Sequence, residues 1–196
     1  MQSSDQTLFQ QLVFSTQEFS PAIWEEFAAA WEPFACDRKV FLTRPGEVER
    51  YLYVVLEGVQ RGYCLQGERE ITAAFTYAPG YTGIPESFLS QQPSSFYLES
   101  LTPSRFLRIS REALLRLCDE HHSVERWGRK IAEQVLIGMA HRQREILAFS
   151  AGEKVNAFMA RSRHLLQLIP HKHVASYLGM QAETFSRHLR QWENES

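Results

Sequence analysis

The residues best suited to chemistry lie near the end of the sequence, between His171 and Gln191. Amide, hydroxyl, carboxylate and guanidinium side chains recur there at short intervals: Gln181, Glu183, Ser186, Arg187 and Arg190. On a helix, intervals of three and four residues place side chains on one face. Side chains of these types hydrogen-bond the base edges and phosphates of DNA in the major groove. The segment is therefore a candidate DNA-binding surface.

Small and apolar residues in the same segment have the spacing of a helix-turn-helix. Ala175 is small where two helices would cross, and Gly179 supplies a turn that commonly requires a positive φ. The core between the helices would be closed by apolar residues, namely Val174, Leu178, Met180, Phe185 and Leu189. Thr184, together with Lys172 and His173 at the start of the first helix, completes the set of DNA-binding candidates. An ordinary helical hairpin with the same spacing remains an alternative.

The charge of the sequence is divided unevenly along its length. The 196 residues have a formal net charge of −2, from 21 Lys and Arg against 23 Asp and Glu. Residues 1–120 hold 10 basic and 16 acidic side chains, whereas residues 154–191 hold six basic side chains and one acidic. A basic segment attached to an acidic body is typical of a DNA-binding unit joined to a separate domain. A solvated basic face is the alternative that charge alone favours.

The region from Pro33 to Ile109 has the pattern of an antiparallel jelly roll. Short apolar or alternating runs are separated by turn residues such as Arg44-Pro45-Gly46 and Ala78-Pro79-Gly80. The predicted strands are Lys39–Leu42, Tyr51–Leu56, Gln60–Leu65, Ile71–Tyr77, Phe96–Leu101 and Arg105–Ile109.

A long helix is predicted from about Ser123 to Leu147. Apolar residues recur along it at intervals of three and four, and they include Val124, Trp127, Ile131, Val135 and Met139. A helix of about 25 residues spans about 37 Å, more than a domain of this size needs internally. We therefore expect those five residues to form a homodimer interface. A helix docked along the side of its own domain is the alternative.

These elements give an α+β class and three segments. Residues 1–120 form the jelly roll, 121–148 the dimerisation helix and 149–196 the helix-turn-helix domain. Helix starts are predicted at Ser20-Pro21, at Ser110, and at Ser150, where Glu153 completes a capping box.

Composition excludes several classes of protein. The sequence is 44% hydrophobic and 12% aromatic, enough for a core, and no apolar run approaches the roughly 18 residues of a membrane span. Met1–Asp5 lacks the features of a secretory signal. Cys36, Cys64 and Cys118 show no metal-binding or disulfide spacing and are expected to be reduced. A cytoplasmic protein without membrane contact is expected.

No catalytic pattern is present, so we expect no enzyme activity. A jelly-roll enzyme holding a metal would use histidines, but residues 1–120 contain none. His171 and His173 resemble a metal pair, yet at a helix start beside phosphates they are more often polar contacts. We expect no metal and no cofactor.

The sequence resembles the Crp/Fnr transcription regulators of bacteria from about Phe9 to Trp192. The matching segments are Leu42–Glu47, Tyr51–Gly58 and, most specifically, Glu183-Thr184-Phe185-Ser186-Arg187. The resemblance implies a cyclic-nucleotide-binding-like roll, a dimerisation helix and a recognition helix at 181–191. It assigns base contacts to Glu183 and Arg187, with Ser186 assisting, and double-stranded DNA, a second copy of the chain and RNA polymerase as partners.

The resemblance also locates a ligand pocket, whose candidates are Gly83, Ile84, Glu86, Ser94 and Ser95. Relatives that bind cyclic AMP hold its ribose with a glutamate and its phosphate with an arginine. Ile84 and Ser94 occupy those two positions here. Loss of the guanidinium costs about 1.5–3 kcal/mol, so we expect weak cyclic AMP binding and leave another effector open.

A third possibility is a ligand- or protein-interaction module with weak or no DNA binding. Only five residues follow Gln191, so the β-hairpin wing found after the recognition helix in some relatives is expected to be absent. The loss of its backbone contacts would weaken affinity without removing base readout.

Overall fold

Among residues 3–195, which the computed structural model describes, eight strands lie in two four-stranded sheets. The strands are β1 Glu32–Cys36, β2 Phe41–Thr43, β3 Tyr51–Glu57, β4 Val59–Gln66, β5 Arg69–Tyr77, β6 Gly80–Thr82, β7 Tyr97–Ser100 and β8 Ser104–Ser110. One sheet has the order β1-β8-β3-β6 and the other β2-β7-β4-β5. The antiparallel jelly roll and the α+β class are confirmed.

Helices precede and follow the sheets. They are α1 Ser3–Phe14, α2 Pro21–Ala29, α3 Pro85–Ser90, α4 Arg111–Glu120, α5 His122–Ala148, α6 Ala151–Ser162, α7 His171–Leu178 and α8 Ala182–Glu195, with a 3₁₀ turn at Arg163–Gln167. None of the helices in residues 3–195 combines the length and apolar character that a membrane crossing requires.

The described chain divides into two units. The first comprises the chain up to Gly62 together with Phe75–Val135. The second comprises Tyr63–Ala74 together with the chain from Leu136 onward. The last division between the units along the chain therefore falls within the long helix α5.

The core of the first unit lies between the sheet β1-β8-β3-β6 and the helices. Val54, Leu107 and Ile109 are fully buried against aromatic residues of α1 and α2. On the other face of the same sheet, Tyr53 and Phe106 belong to a separate cluster. Burial of both faces explains the nearly continuous apolar run in β3.

The helix α5 changes its surroundings along its length. Val124 and Trp127 are fully buried and Ile131 is 9% exposed, all three in the core of the first unit. The prediction that these three residues form a dimer interface is wrong, because their side chains already pack within their own chain. Periodicity identifies a buried face but not the neighbour that buries it. From Ala132 to His141, by contrast, every residue is exposed.

Two helix caps agree with the sequence and one does not. Ser110 accepts a hydrogen bond from Ala113 N, and Ser150 with Glu153 forms the predicted capping box. Ser20 occupies the N-cap position of α2, but its side chain makes no capping hydrogen bond. Pro21 at the first helical position favours the helix start without it.

Candidate nucleic-acid interface

The helices α7 and α8 are joined by a tight turn at Gly179. Its φ of 71° and ψ of 31° lie in the left-handed region, which favours glycine. Ala175 and Leu178 of α7 are buried, as are Phe185 and Leu189 of α8. These contacts fix the two helices against each other in the arrangement that the apolar spacing predicted.

Packing of Phe185 and Leu189 turns the opposite face of α8 outward. Gln181, immediately before the helix, is exposed, and so are Glu183, Arg187 and Arg190. The structure therefore brings four of the predicted base- and phosphate-contacting residues together on one surface.

The other two predicted positions on α8 are half-buried. The Ser186 hydroxyl donates to Ala182 O at 2.9 Å, and Thr184 lies next to the buried Phe185. Glu183 lies in the first turn of α8, where a carboxylate also interacts favourably with the positive end of the helix dipole. Glu183 can therefore stabilise the helix and also contact a group outside the chain.

The start of α7 carries the remaining candidates. Lys172 is exposed and His173 is half-buried. His171 has a structural contact that the sequence did not suggest, since its ring meets the ring of Phe185 edge-on at 5.8 Å. Lys172 is therefore the side chain at this helix start best placed for a phosphate.

An ion-pair network joins the end of α5 to α6 and α7 in the second unit. Glu145 is only 7% exposed, and both of its oxygens accept hydrogen bonds from Arg161. Arg142 lies 3.4 Å from the same carboxylate, donates to the carbonyl of Tyr177 and has its guanidinium carbon 3.8 Å from the centre of the Tyr177 ring. The network holds the first helix of the helix-turn-helix against the long helix.

The sequence alone did not single out Glu145 as the centre of this ion-pair network. Arg142 follows Met139 by three residues, so it stands at a position where the periodicity of α5 predicts an apolar residue. A charged residue in an apolar series indicates a buried ion pair, although only the structure shows its partners.

Replacing Glu145 with glutamine is expected to destabilise the second unit by about 1.5–3 kcal/mol at pH 7, because charge-assisted hydrogen bonds are lost. The hydrogen bonds from Arg161 lower the pKa of Glu145 below its usual value of 4.5. A lowered carboxyl pKa stabilises the fold above pH 4.5, and the stabilisation is lost as pH falls through the lowered value. Urea unfolding of the parent and of Glu145→Gln should therefore give different free energies of unfolding at pH 7, and this difference should shrink below pH 4.5.

Glu57→Gln is the matched control for this experiment, since Glu57 pairs with Arg105 on the exposed surface of the first unit, outside α5. Exposed pairs contribute little, so this variant should unfold like the parent. An equal loss in both variants would contradict the role of the buried network.

The predicted ligand pocket is closed by hydrogen bonds to the β2–β3 loop. Ser94 is 4% exposed, and its carbonyl accepts from Gly46 N at 2.9 Å while its amide donates to Glu47 O at 2.8 Å. The Ser94 hydroxyl is engaged with both backbone groups of Phe96. The position that holds the arginine in cyclic AMP-binding relatives is thus occupied by a buried internal contact.

The other four pocket candidates differ in their exposure. Ile84 is 4% exposed, whereas Glu86 and Ser95 are exposed. Gly83 has a φ of +147°, and a side chain there would approach Tyr51 O to 3.4 Å. None of the five residues lines the cavity of about 540 Å³ found in the first unit.

Cyclic AMP is expected to bind this chain no more tightly than the millimolar range. The ribose and phosphate contacts are both missing, and each charge-assisted contact is worth about 1.5–3 kcal/mol, or roughly ten- to a hundredfold in affinity. Titration calorimetry with the full chain measures this directly, and micromolar binding would contradict the prediction.

The comparisons with known proteins agree with this architecture. Residues 36–121 match the family model of the cyclic nucleotide-binding domain. No curated protein sequence is significantly similar to the chain.

Several solved structures have a similar fold at low sequence identity. FixK2 from Bradyrhizobium japonicum is 20% identical, with a TM-score of 0.74 over 84% of this chain and 85% of its own. A protein from Eubacterium rectale assigned to the Crp/Fnr family of transcriptional regulators is 16% identical, with a TM-score of 0.69 over 90% and 85%. The c-di-GMP-responsive global regulator CLP of Xanthomonas campestris is 17% identical, with a TM-score of 0.63 over 90% and 93%.

The fold that the resemblance predicted is thus confirmed. Residues 36–121 are similar to the cyclic nucleotide-binding domain family, and the chain has the fold of the solved Crp/Fnr structures.

Proposed function

We propose that the chain is a homodimeric, sequence-specific DNA-binding regulator of transcription. The observation that carries the proposal is the outward face of α8, where Glu183, Arg187 and Arg190 are exposed while Phe185 and Leu189 anchor the helix. Arginine can bond a guanine through O6 and N7, and glutamate accepts from the cytosine amine. An exposed glutamate would be repelled by phosphates alone, which favours base readout.

Dimerisation is supported by the exposed part of α5. Leu136, Ile137 and Met139 are 67%, 55% and 62% exposed, and Val135 is 38% exposed. A helix that exposes four apolar side chains within five residues is stabilised by a partner helix. The proposed partner is the same segment of a second copy, so that two α8 helices would enter successive major grooves about 34 Å apart.

RNA polymerase is the proposed partner at the promoter, in the bacterial cytoplasm where the chromosome lies. The proposal includes no catalytic step and no metal. Residues 121–148 are proposed as the dimerisation segment and 149–196 as the DNA-binding segment, with the actual subunit contact restricted to the exposed turns of α5.

Binding to a fluorescent DNA duplex of mixed sequence tests the proposal through its salt dependence. The observed affinity should fall steeply between 50 and 200 mM salt, because Lys and Arg side chains displace condensed counterions. Lys172→Ala should weaken binding to every sequence alike and reduce the salt slope by about one per subunit. Absence of binding at low salt would instead favour an interaction module of the same fold.

A further inference from the structure

A cavity of about 540 Å³ lies in the first unit and is not explained by DNA binding. Its walls come from β1, β2, the β2–β3 loop, β3 and β8. Residues 83–95 match the segment that forms the ligand site in relatives that bind cyclic AMP, and none of them lines this cavity. The volume is within the range of small-molecule sites.

Aromatic rings supply most of the apolar wall. Phe34, Phe41 and Tyr51 are half-buried and Tyr53 is 3% exposed. The ring centres of Tyr51 and Tyr53 are 6.1 Å apart, and those of Phe34 and Tyr53 are 6.2 Å apart. The ring planes of these two pairs are tilted by 51° and 54°, so a planar ligand can pack face-on against one ring and edge-on against its neighbour.

Arg50 and Arg108 both line the cavity, and Arg108 is held in the wall by two aromatic rings. The guanidinium carbon of Arg108 lies 4.5 Å from the ring centre of Phe34 and 4.4 Å from that of Tyr51. Its Nε donates to Glu32 at 2.7 Å. Because this bond uses Nε, the terminal nitrogens remain available to a second anion, and the two rings fix the direction in which they point.

The carboxylates that also line the cavity are turned to donors of the protein. Glu49 is 2% exposed, and its oxygens accept from Thr43 Oγ1 at 2.6 Å and Tyr51 N at 3.2 Å. Glu47 accepts from Arg44 N at 2.8 Å. Because these carboxylates already accept hydrogen bonds from the protein, the side chains of the wall suited to donate to a bound anion are Arg50 and Arg108. Of these two, Arg108 is the one fixed between aromatic rings.

We propose that this cavity binds a small aromatic acid, that is, one ring or a fused ring pair carrying one carboxylate or sulfonate. The ring packs against Phe41 and Tyr53, and the acid group accepts hydrogen bonds from Arg108. The β2–β3 loop connects this site to α3, because Glu49 N donates to Ser87 Oγ at 3.0 Å. The proposal concerns the first unit alone and does not depend on DNA binding.

The test uses 8-anilinonaphthalene-1-sulfonate, a fluorescent aromatic sulfonate, titrated into the full chain. Arg108→Met should weaken its binding roughly ten- to a hundredfold, the effect of losing one charge-assisted contact. Val48→Trp should weaken it as well by filling the cavity, without changing any charge. Salicylate should displace the probe from the parent chain, and cyclic AMP should not.

Arg105→Met is the matched control, because Arg105 is on the same strand but pairs with Glu57 and Asp5 outside the cavity. It should bind the probe like the parent. Equal probe affinity in the parent, Arg108→Met and Val48→Trp chains would overturn the proposal. It would also be overturned if only Met139→Glu, on the exposed face of α5, reduced the fluorescence.

Discussion

Arg187→Ala is expected to abolish the preference of the protein for its specific DNA site. Arg187 is exposed on α8 between two buried anchors, Phe185 and Leu189, so its truncation leaves the fold unchanged. One bidentate contact to a base contributes about 1–3 kcal/mol of discrimination. A dimer loses two such contacts, about 2–6 kcal/mol, which corresponds to a loss of specific affinity between roughly 30-fold and 10⁴-fold. Fluorescence anisotropy with specific and scrambled duplexes gives the ratio of the two affinities, which measures this preference.

Lys172→Ala separates base readout from electrostatic attraction in the same measurement. Lys172 is exposed at the start of α7, where a side chain meets phosphates and not bases. Its removal should lower the affinity for both duplexes equally and leave their ratio intact. If Arg187→Ala also lowered both affinities equally, Arg187 would be a phosphate contact, and its assignment as a base reader would be wrong.

Met139→Glu is expected to convert the dimer into monomers. Met139 is 62% exposed on the apolar part of α5, and the substitution would place two like charges across the two-fold axis of the proposed interface. A monomer engages one half-site, so the gain from joining two binding units, roughly 10²- to 10⁴-fold, is lost. Analytical ultracentrifugation measures the mass, and anisotropy measures the accompanying loss of DNA affinity.

Leu115→Glu is the control for this substitution. Leu115 is an apolar residue of α4 that is 43% exposed and lies outside α5. The control introduces the same charge at an exposed apolar position away from the proposed interface and should remain dimeric. A monomeric parent chain at micromolar concentration would contradict the proposed assembly.

Much of the fold follows from local patterns in the sequence. Six of the eight strands in the described chain overlap predicted runs, because alternation and turn residues mark them. The two that were missed, Glu32–Cys36 and Gly80–Thr82, lack such signals. The first contains a proline and begins beside a helix, and the second is three residues long. Their positions are set by pairing with β8 and β3, which is non-local.

The helical hairpin that carries the DNA-binding candidates was predictable because it is specified by neighbours in the chain. Ala175, Gly179 and Phe185 have their predicted places. The exposure of the residues predicted for the dimer interface was predictable only in part. Val124 and Trp127 continue the same periodicity as Met139, yet the first two pack against the first unit and the third is exposed. Spacing is a property of the helix, whereas the identity of the neighbour depends on the tertiary fold.

The ligand pocket predicted in the first unit shows the same limit. The replacement of two charged residues by Ile84 and Ser94 was visible in the sequence, and the structure shows the segment closed on Gly46 and Glu47. The aromatic cavity beside Arg108 was not visible, because its walls come from strands far apart in the chain. The residues at these two positions indicated that the ribose and phosphate contacts are missing. They could not indicate that the fold forms a cavity between other strands.

Selection of bound duplexes from a random-sequence DNA library tests the central claim most directly. The account predicts enrichment of sites with two-fold symmetry, with half-sites centred about one helical turn or a multiple of it apart. It also predicts that Arg187→Ala removes the preference at defined positions in each half-site while non-specific binding remains. Absence of enrichment, or enrichment of a single asymmetric motif bound by one chain, would contradict the account.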